Sequence, residues 1–153
     1  MTVGFTYNEH MDFSDPRTPY VVSLLLPPAL AVVNSFIHRR QLASFLSRTS
    51  AIMTYQDIVA FEKTVARQMY AALLQIALLV APWIVFGYGY LQDVLTVDDL
   101  GLVIAPSFVV LALGLNFKRL ENRARSIRAE DPILAERRDH IVEVWMHKPF
   151  PDW

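Results

Sequence analysis

The sequence predicts an all-α integral membrane protein with three transmembrane helices. The first observation is that long stretches of the chain, residues 68–92 and 100–117 among them, carry no charged side chain. A helix needs about 20 predominantly apolar residues to cross about 30 Å of hydrocarbon. The second observation is that 54% of the 153 residues are hydrophobic, while the charged residues are concentrated in blocks. The third is the distribution of Lys and Arg, which gives the three spans a single orientation.

The predicted spans cover residues 19–37, 69–91 and 100–117. The second span contains about 23 residues without an ionisable group, which exceeds what a helix buried in a soluble protein usually carries. The alternative, a soluble all-α protein with a very apolar core, is therefore disfavoured. The third span meets the length requirement narrowly, and the first meets it only if its two prolines are tolerated.

Prolines lie inside all three spans. A proline in a helix removes one backbone hydrogen bond and clashes with the preceding turn, and a residue before a proline is driven out of the α region. We therefore expect the first span to be kinked or broken at Pro27 and Pro28, with its outer part resting against other protein. Pro82 and Pro106 are the corresponding candidate kinks in the second and third spans.

The basic residues predict that the N-terminus is outside and the C-terminus is in the cytoplasm. Only Arg17 precedes the first span, and the other 13 of the 14 basic residues follow the first or the third span. Because cytoplasmic loops carry the excess of Lys and Arg, we expect a multi-pass protein of the cell membrane, of the bacterial inner-membrane type. The predicted map is an extracytoplasmic segment 1–18, span 19–37, cytoplasmic amphipathic and helical segment 38–68, span 69–91, short outer loop 92–99, span 100–117 and cytoplasmic helical tail 118–153.

The cytoplasmic segments are predicted to be helical. Thr54 and Asp57 have the spacing of a capping box, so the second helix should begin near Tyr55 and continue into the membrane. The third helix has no breaker before Pro132, and Asp131 with Pro132 should cap a last helix. Between the first two spans lies an apolar stripe that either rests on the lipid interface or continues the first helix against its neighbours. The stripe consists of Leu42, Phe45 and Leu46, bordered by Arg39, Arg40 and Arg48.

The spans carry little chemistry of their own. Ionisable side chains inside a membrane usually mark proton relays, ion paths and transport sites, and each predicted span lacks them away from its ends. This pattern argues against a self-sufficient pump or secondary transporter. The candidate polar residues, either bonded between helices or facing a pore, are Gln75, Ser107, Asn34 and Asn116. For Gln75 we favour the hydrogen bond between helices.

We predict no catalytic, metal-binding or cofactor-binding residue. The sequence contains no cysteine, which excludes thiolate chemistry, and its four histidines have no metal-ligand spacing. Haem ligation by His38 is disfavoured because no other span offers a second histidine, whereas bound lipids are expected. The net charge of −1 gives no reason to expect a nucleic-acid partner.

The end of the sequence predicts a docking surface. The last helix should present Leu134, Ile141, Val144 and Trp145 on one face, and the residues KPFPDW follow it. Aromatic residues separated by prolines form neither helix nor sheet. We therefore interpret Trp145, Phe150 and Trp153 as a candidate docking tail for a partner or a neighbouring subunit.

In topology, with second and third helices that extend into the cytoplasm, the chain is similar to the ExbB/TolQ proton-channel family. The cytoplasmic loop is shorter here, and of the pore-lining hydroxyls of that family only Ser107 has a counterpart. Three functions follow: a non-catalytic accessory subunit of a larger membrane complex, a homo-oligomeric ion or proton channel, and a membrane enzyme with a cytoplasmic-face site around His140. We favour the first, with other membrane subunits or copies of the chain as partners, because intramembrane charge is absent.

Overall fold

A computed structural model describes residues 15–153, so most of the predicted extracytoplasmic segment 1–18 lies outside the described residues. The elements in chain order are helix α1 (Thr18–Arg48), strand β1 (Ala51–Ile52), helix α2 (Tyr55–Leu91), a 3-10 turn (Val97–Leu100), helix α3 (Gly101–Arg125), strand β2 (Arg128–Ala129) and helix α4 (Pro132–His147). Three of them, α1, α2 and the turn with α3, are long and apolar enough to cross a membrane. The fold is mostly helical and is that of a multi-pass membrane protein, as the hydropathy pattern predicts.

Helix α1 is continuous through its two prolines. It extends over 31 residues with Pro27 and Pro28 inside it, so the predicted break does not occur, while a bend at this point stays a prediction. Leu24, Pro28 and Ala31, which lie at successive helical turns, are buried. Neighbouring helices allow prolines within membrane helices by covering the backbone that they disrupt. Here the cover on this face comes from helices of the same chain.

Helix α1 is the central element of the bundle. It packs along α2 and along α3, whereas α2 and α3 contact each other much less. The aliphatic and aromatic side chains on the opposite faces of the three helices are exposed, among them Leu26, Ile84 and Phe108. Exposed apolar surface of this extent is what the hydrocarbon of a bilayer covers.

At its C-terminal end, α2 closes with a Schellman motif. The amide of Val94 donates to the carbonyl of Gly89 at 3.0 Å, and the amide of Asp93 donates to that of Tyr90 at 3.2 Å. Asp93 adopts the left-handed conformation, with φ of 56°, which an aspartate tolerates better than most residues. The motif turns the chain back so that Leu95 is buried beneath α2.

The short loop before α3 is tied to the start of α1. The guanidinium of Arg17 donates two hydrogen bonds to the carboxylate of Asp99, at 2.6 and 2.8 Å. The same carboxylate accepts from the amide of Thr96 at 2.8 Å, which caps the 3-10 turn. One acidic side chain therefore links the first residues of α1 to the entrance of α3.

The capping box predicted for α2 is confirmed. The hydroxyl of Thr54 accepts a hydrogen bond from the amide of Asp57, and the Asp57 carboxylate accepts one from the amide of Thr54 at 2.9 Å. Helix α2 then runs unbroken for 37 residues to Leu91. The cap of the last helix is confirmed as well, because the Asp131 carboxylate accepts from the amides of Ile133 and Leu134.

The predicted continuation of the third helix to Pro132 is wrong. Helix α3 ends at Arg125, and the chain continues into β2, which pairs in parallel with β1. The amide of Glu130 extends this pairing by donating to the carbonyl of Ile52 at 3.2 Å. The physical reason is burial: leaving the helix lets Ile127 turn inward, where it is 5% exposed.

A compact apolar core, the α2–α4 core, holds together β1, β2, the first part of α2 and α4. Its buried members are Ile52, Ile58, Phe61, Val65, Met69, Ile127, Ile141 and Val144. The face predicted for α4 is therefore confirmed, since Ile141 and Val144 are buried and Leu134 and Trp145 pack at the edge. On the surface, Arg137 of α4 donates to Glu62 of α2 at 2.8 Å. This hydrogen bond raises the pKa of Arg137 above its ordinary value, and the contact fixes α4 against α2.

The stripe after the first span continues α1 and does not form a separate interfacial helix. Leu42 and Leu46 are buried together with Ala124 of α3, and Phe45 packs beside them. Trp145 of α4 contacts the same cluster. Of the two alternatives for residues 39–48, packing against the neighbouring helices is the one that the structure has.

Gly89 allows the side chains of Leu95 and Tyr20 to pack closely against the backbone of α2. A Cβ atom at this position would come within 2.7 Å of Leu95 and 2.8 Å of Tyr20. At Gly87, two residues earlier, a Cβ atom would meet nothing within 4 Å. The two glycines thus form a matched pair inside one helix.

We expect Gly89→Ala to destabilise the protein and Gly87→Ala to leave it unchanged or stabilise it by up to about 1 kcal/mol through helix propensity. The new methyl at 89 must displace the buried Leu95, and overpacking of this kind costs about 1–3 kcal/mol. Unfolding of the detergent-solubilised protein by dodecyl sulfate, followed by tryptophan fluorescence, measures both values. Equal effects at the two positions would contradict the close packing at Gly89.

Candidate functional site

Two of the four polar residues predicted inside the spans contact each other. The side-chain amide of Asn34 in α1 donates to the Oε1 atom of Gln75 in α2 at 2.9 Å, and to the carbonyl of Ala71 at 3.2 Å. The second bond occupies a backbone carbonyl that already belongs to the α2 ladder. In hydrocarbon no water is available to satisfy a side-chain amide, so this pair favours one register of α1 against α2.

A second polar contact lies about two turns nearer to the α2–α4 core. The amide of Gln68, a residue that is only 5% exposed, donates to the backbone carbonyl of His38 at 3.1 Å. The Nδ1 atom of His38 is buried and has no hydrogen-bond partner within residues 15–153. These two residues mark the level at which the apolar part of the spans ends. Gln68 is a further residue of this site that the sequence analysis does not include. Its position as a polar residue directly before the second span is the sequence feature that indicates it.

The two polar contacts line one wall of a cleft. Its volume is about 370 Å³, and it lies between α1, α2 and the second half of α3. The polar wall carries Asn34, Gln75, Gln68 and His38. The facing wall on α3 is aliphatic and aromatic except for Glu121, and Arg39 of α1 also lines the cleft. The cleft follows from the architecture, because α1 contacts both other helices while these contact each other little.

The other two candidate polar residues lie elsewhere. The hydroxyl of Ser107 donates to the carbonyl of Val103, one turn earlier in its own helix, at 2.7 Å. Asn116 is exposed on α3. The structure therefore brings together Asn34 and Gln75, while Ser107 and Asn116 stand apart from the cleft.

The candidate kink residues differ in their surroundings. Pro28 and Pro82 are buried, whereas Pro27 and Pro106 are half-buried. All four lie inside continuous helices.

The candidate docking tail divides into two parts. Trp145 packs inside the protein, between the α2–α4 core and the Leu42 cluster, and the guanidinium of Arg125 lies 5.0 Å above its ring. Phe150 and Trp153 follow α4 and are 57% and 36% exposed. An ion pair between Lys148 and Asp152, at 2.9 Å, joins the two ends of this segment.

The predicted site around His140 lies on α4. His140 is exposed on α4, and residues 15–153 contain no group of three or more His, Asp or Glu side chains placed to hold a metal ion. No protein-family model, curated protein or solved structure matches the chain. Its function is therefore argued from its own residues.

We expect the Asn34–Gln75 contact to be measurable as a coupling free energy of about 0.6 kcal/mol, the average for hydrogen bonds between membrane helices. The variants are Asn34→Leu, Gln75→Leu and their combination, compared by dodecyl sulfate unfolding in a double-mutant cycle.

The matched control pairs Gln75→Leu with Asn116→Leu, an exposed amide on another helix, and should be additive. Additivity in the Asn34–Gln75 cycle itself would contradict a hydrogen bond that contributes to the packing of α1 against α2.

Proposed function

We propose that the chain is a non-catalytic accessory subunit of a larger membrane complex, which supplies packing surfaces in the membrane and a docking segment in the cytoplasm. The observation that carries the proposal is the exposure of Phe150 and Trp153 after the end of α4. They follow α4 and lie outside the three spans. Aromatic anchors are the side chains that most often dominate protein interfaces.

The internal use of polar groups supports the same proposal. Asn34 and Gln75 are bonded to each other, and Ser107 is bonded within its own helix. These bonds serve the packing of the helices. The α2–α4 core is well packed, and the Arg137–Glu62 ion pair holds α4 against α2. The segment 148–153 therefore follows a helix with a fixed position.

The channel is the weaker candidate. It is favoured by the cleft that Asn34 and Gln75 line. It is disfavoured because a hydrogen bond of 2.9 Å joins the two amides across the α1–α2 contact, where it serves helix packing.

We expect Phe150→Ala combined with Trp153→Ala to abolish co-purification of a partner subunit from the native membrane in mild detergent. Removal of two aromatic anchors commonly costs several kcal/mol of binding free energy. Quantitative mass spectrometry of the purified complex, with the stoichiometry of each co-purifying chain, is the measurement.

The control variant is Ile133→Ala, which removes a side chain that is 76% exposed on α4 but lies outside the docking segment. It should leave the partner bound at the same stoichiometry. A native protein that migrates as a self-contained species, with no second polypeptide at fixed stoichiometry, would count against the accessory-subunit proposal.

The proposed orientation places the N-terminus outside and α4 in the cytoplasm of a bacterial inner membrane. It rests on the basic residues, which cluster at the end of the bundle that carries the α2–α4 core. The Arg17–Asp99 contact then lies on the outer face.

The chain contains no cysteine, so single-cysteine variants report sidedness without a background. In intact cells, a membrane-impermeant maleimide should label Val97→Cys and should not label Ile133→Cys until the membrane is permeabilised. Both positions carry exposed aliphatic side chains, 65% and 76% exposed. The reverse labelling pattern would invert the topology.

A further inference from the structure

Where α1 and α2 leave the apolar part of the bundle, their neighbouring faces form a basic pocket. Its volume is about 690 Å³. Arg40, Ser44 and Arg48 lie at intervals of four residues along α1, and Thr64 and Arg67 lie one turn apart on α2. Because residues three and four apart share one face of a helix, the two antiparallel helices direct three arginines and two hydroxyl residues into the same pocket.

The three arginines are not used by the fold. Other arginines of the chain pair with carboxylates, as Arg17 does with Asp99 and Arg137 with Glu62. Arg40, Arg48 and Arg67 are exposed, and none of their guanidinium groups has an ion pair or hydrogen bond with any residue from 15 to 153. No Asp or Glu of this part of the chain lines the pocket. The three guanidinium groups that line this pocket repel one another, and an anion bound between them would offset that repulsion.

The pocket lies at the level of lipid headgroups. Ile37 ends the apolar part of α1, and the bond from Gln68 to the carbonyl of His38 marks the same level on α2. Arg40 and Arg67 are each within one turn of that level, at a rise of about 1.5 Å per residue. Arg48 lies about 12 Å farther from the membrane along α1. The pocket therefore extends outward from the depth at which phosphate groups are found.

The surface below the pocket favours a lipid over a free anion. Val33 and Ile37 precede Arg40 on the same face of α1, and both side chains are exposed. An acyl chain lying on these residues would continue directly into a phosphate at Arg40. Guanidinium groups bind phosphate oxygens in a bidentate manner, and basic pockets between membrane helices are known binding sites for acidic lipid headgroups.

We propose that this pocket binds the headgroup of one anionic phospholipid. Arg40 and Arg67 bind the phosphate, and Ser44, Thr64 and Arg48 face the rest of the headgroup. The site uses only the side chains of this chain, so it does not depend on the accessory-subunit proposal.

The test is a titration of the detergent-solubilised protein with dioleoyl phosphatidylglycerol and, in parallel, dioleoyl phosphatidylcholine, with bound lipid counted by native mass spectrometry. The intact protein should bind one phosphatidylglycerol in preference to phosphatidylcholine. Arg40→Gln combined with Arg67→Gln should weaken phosphatidylglycerol binding at least about tenfold and leave phosphatidylcholine binding unchanged.

The matched control is Lys118→Gln combined with Arg119→Gln. It removes the same charge near the same level, from exposed residues of α3 outside the pocket, and should weaken binding less than twofold. A melting curve for each variant separates loss of lipid from loss of fold. Arg48→Gln alone, at the far end of the pocket, should give an intermediate loss.

Three results would overturn the proposal. Equal weakening in the control would assign the effect to the general charge of the membrane surface. Equal binding of the two lipids by the intact protein would remove the selectivity that the arginines imply. Displacement of phosphatidylglycerol by millimolar inorganic phosphate would show that a free anion is the occupant.

Discussion

The burial of one long face of α1 is the constraint on which the other elements depend. This face begins with Leu24 and Pro28 in the membrane and ends with Leu42 and Leu46 beyond it, so the same helix organises both halves of the molecule. Because α1 fills the space between α2 and α3, these two helices need little contact with each other. A helix with two adjacent prolines is thus placed where its weakened backbone has protein on one side, which is the condition under which membrane helices tolerate proline.

The sequence predicted the spans, the caps and the apolar face of α4, because these features depend on residues close together along the chain. Hydropathy over about 20 residues decides a span, and a capping box needs only Thr54 and Asp57. The end of α3 was not predictable in this way. It depends on Ile127 and on the pairing of β2 with β1, whose residues are about 77 positions apart in the sequence. Such pairing leaves no local pattern.

The candidate site shows the same division between local and distant information. Gln75 was recognisable as a polar residue in an apolar span, but its partner Asn34 is 41 residues away and was fixed only by the register of α1 against α2. The basic pocket could be predicted only in part from the sequence. Arg40 and Arg48 stood out around an apolar stripe, whereas the contribution of Arg67 required the antiparallel placement of α2. In the sequence, a basic residue beside a span indicates only the orientation of that span. Its part in a binding pocket becomes visible when the structure shows which residues lie beside it.

Helix α2 is much longer than the bilayer is thick. Its 37 residues form a rod of about 55 Å, against about 30 Å of hydrocarbon. Gly89 fits closely against Leu95 at one end, and Phe61 is embedded in the α2–α4 core near the other. A change in tilt of about 5° about the Leu91 end would move the Tyr55 end by about 5 Å. Since membrane helices respond to bilayer thickness by tilting, a tilt of α2 as a rigid rod would carry the α2–α4 core with it.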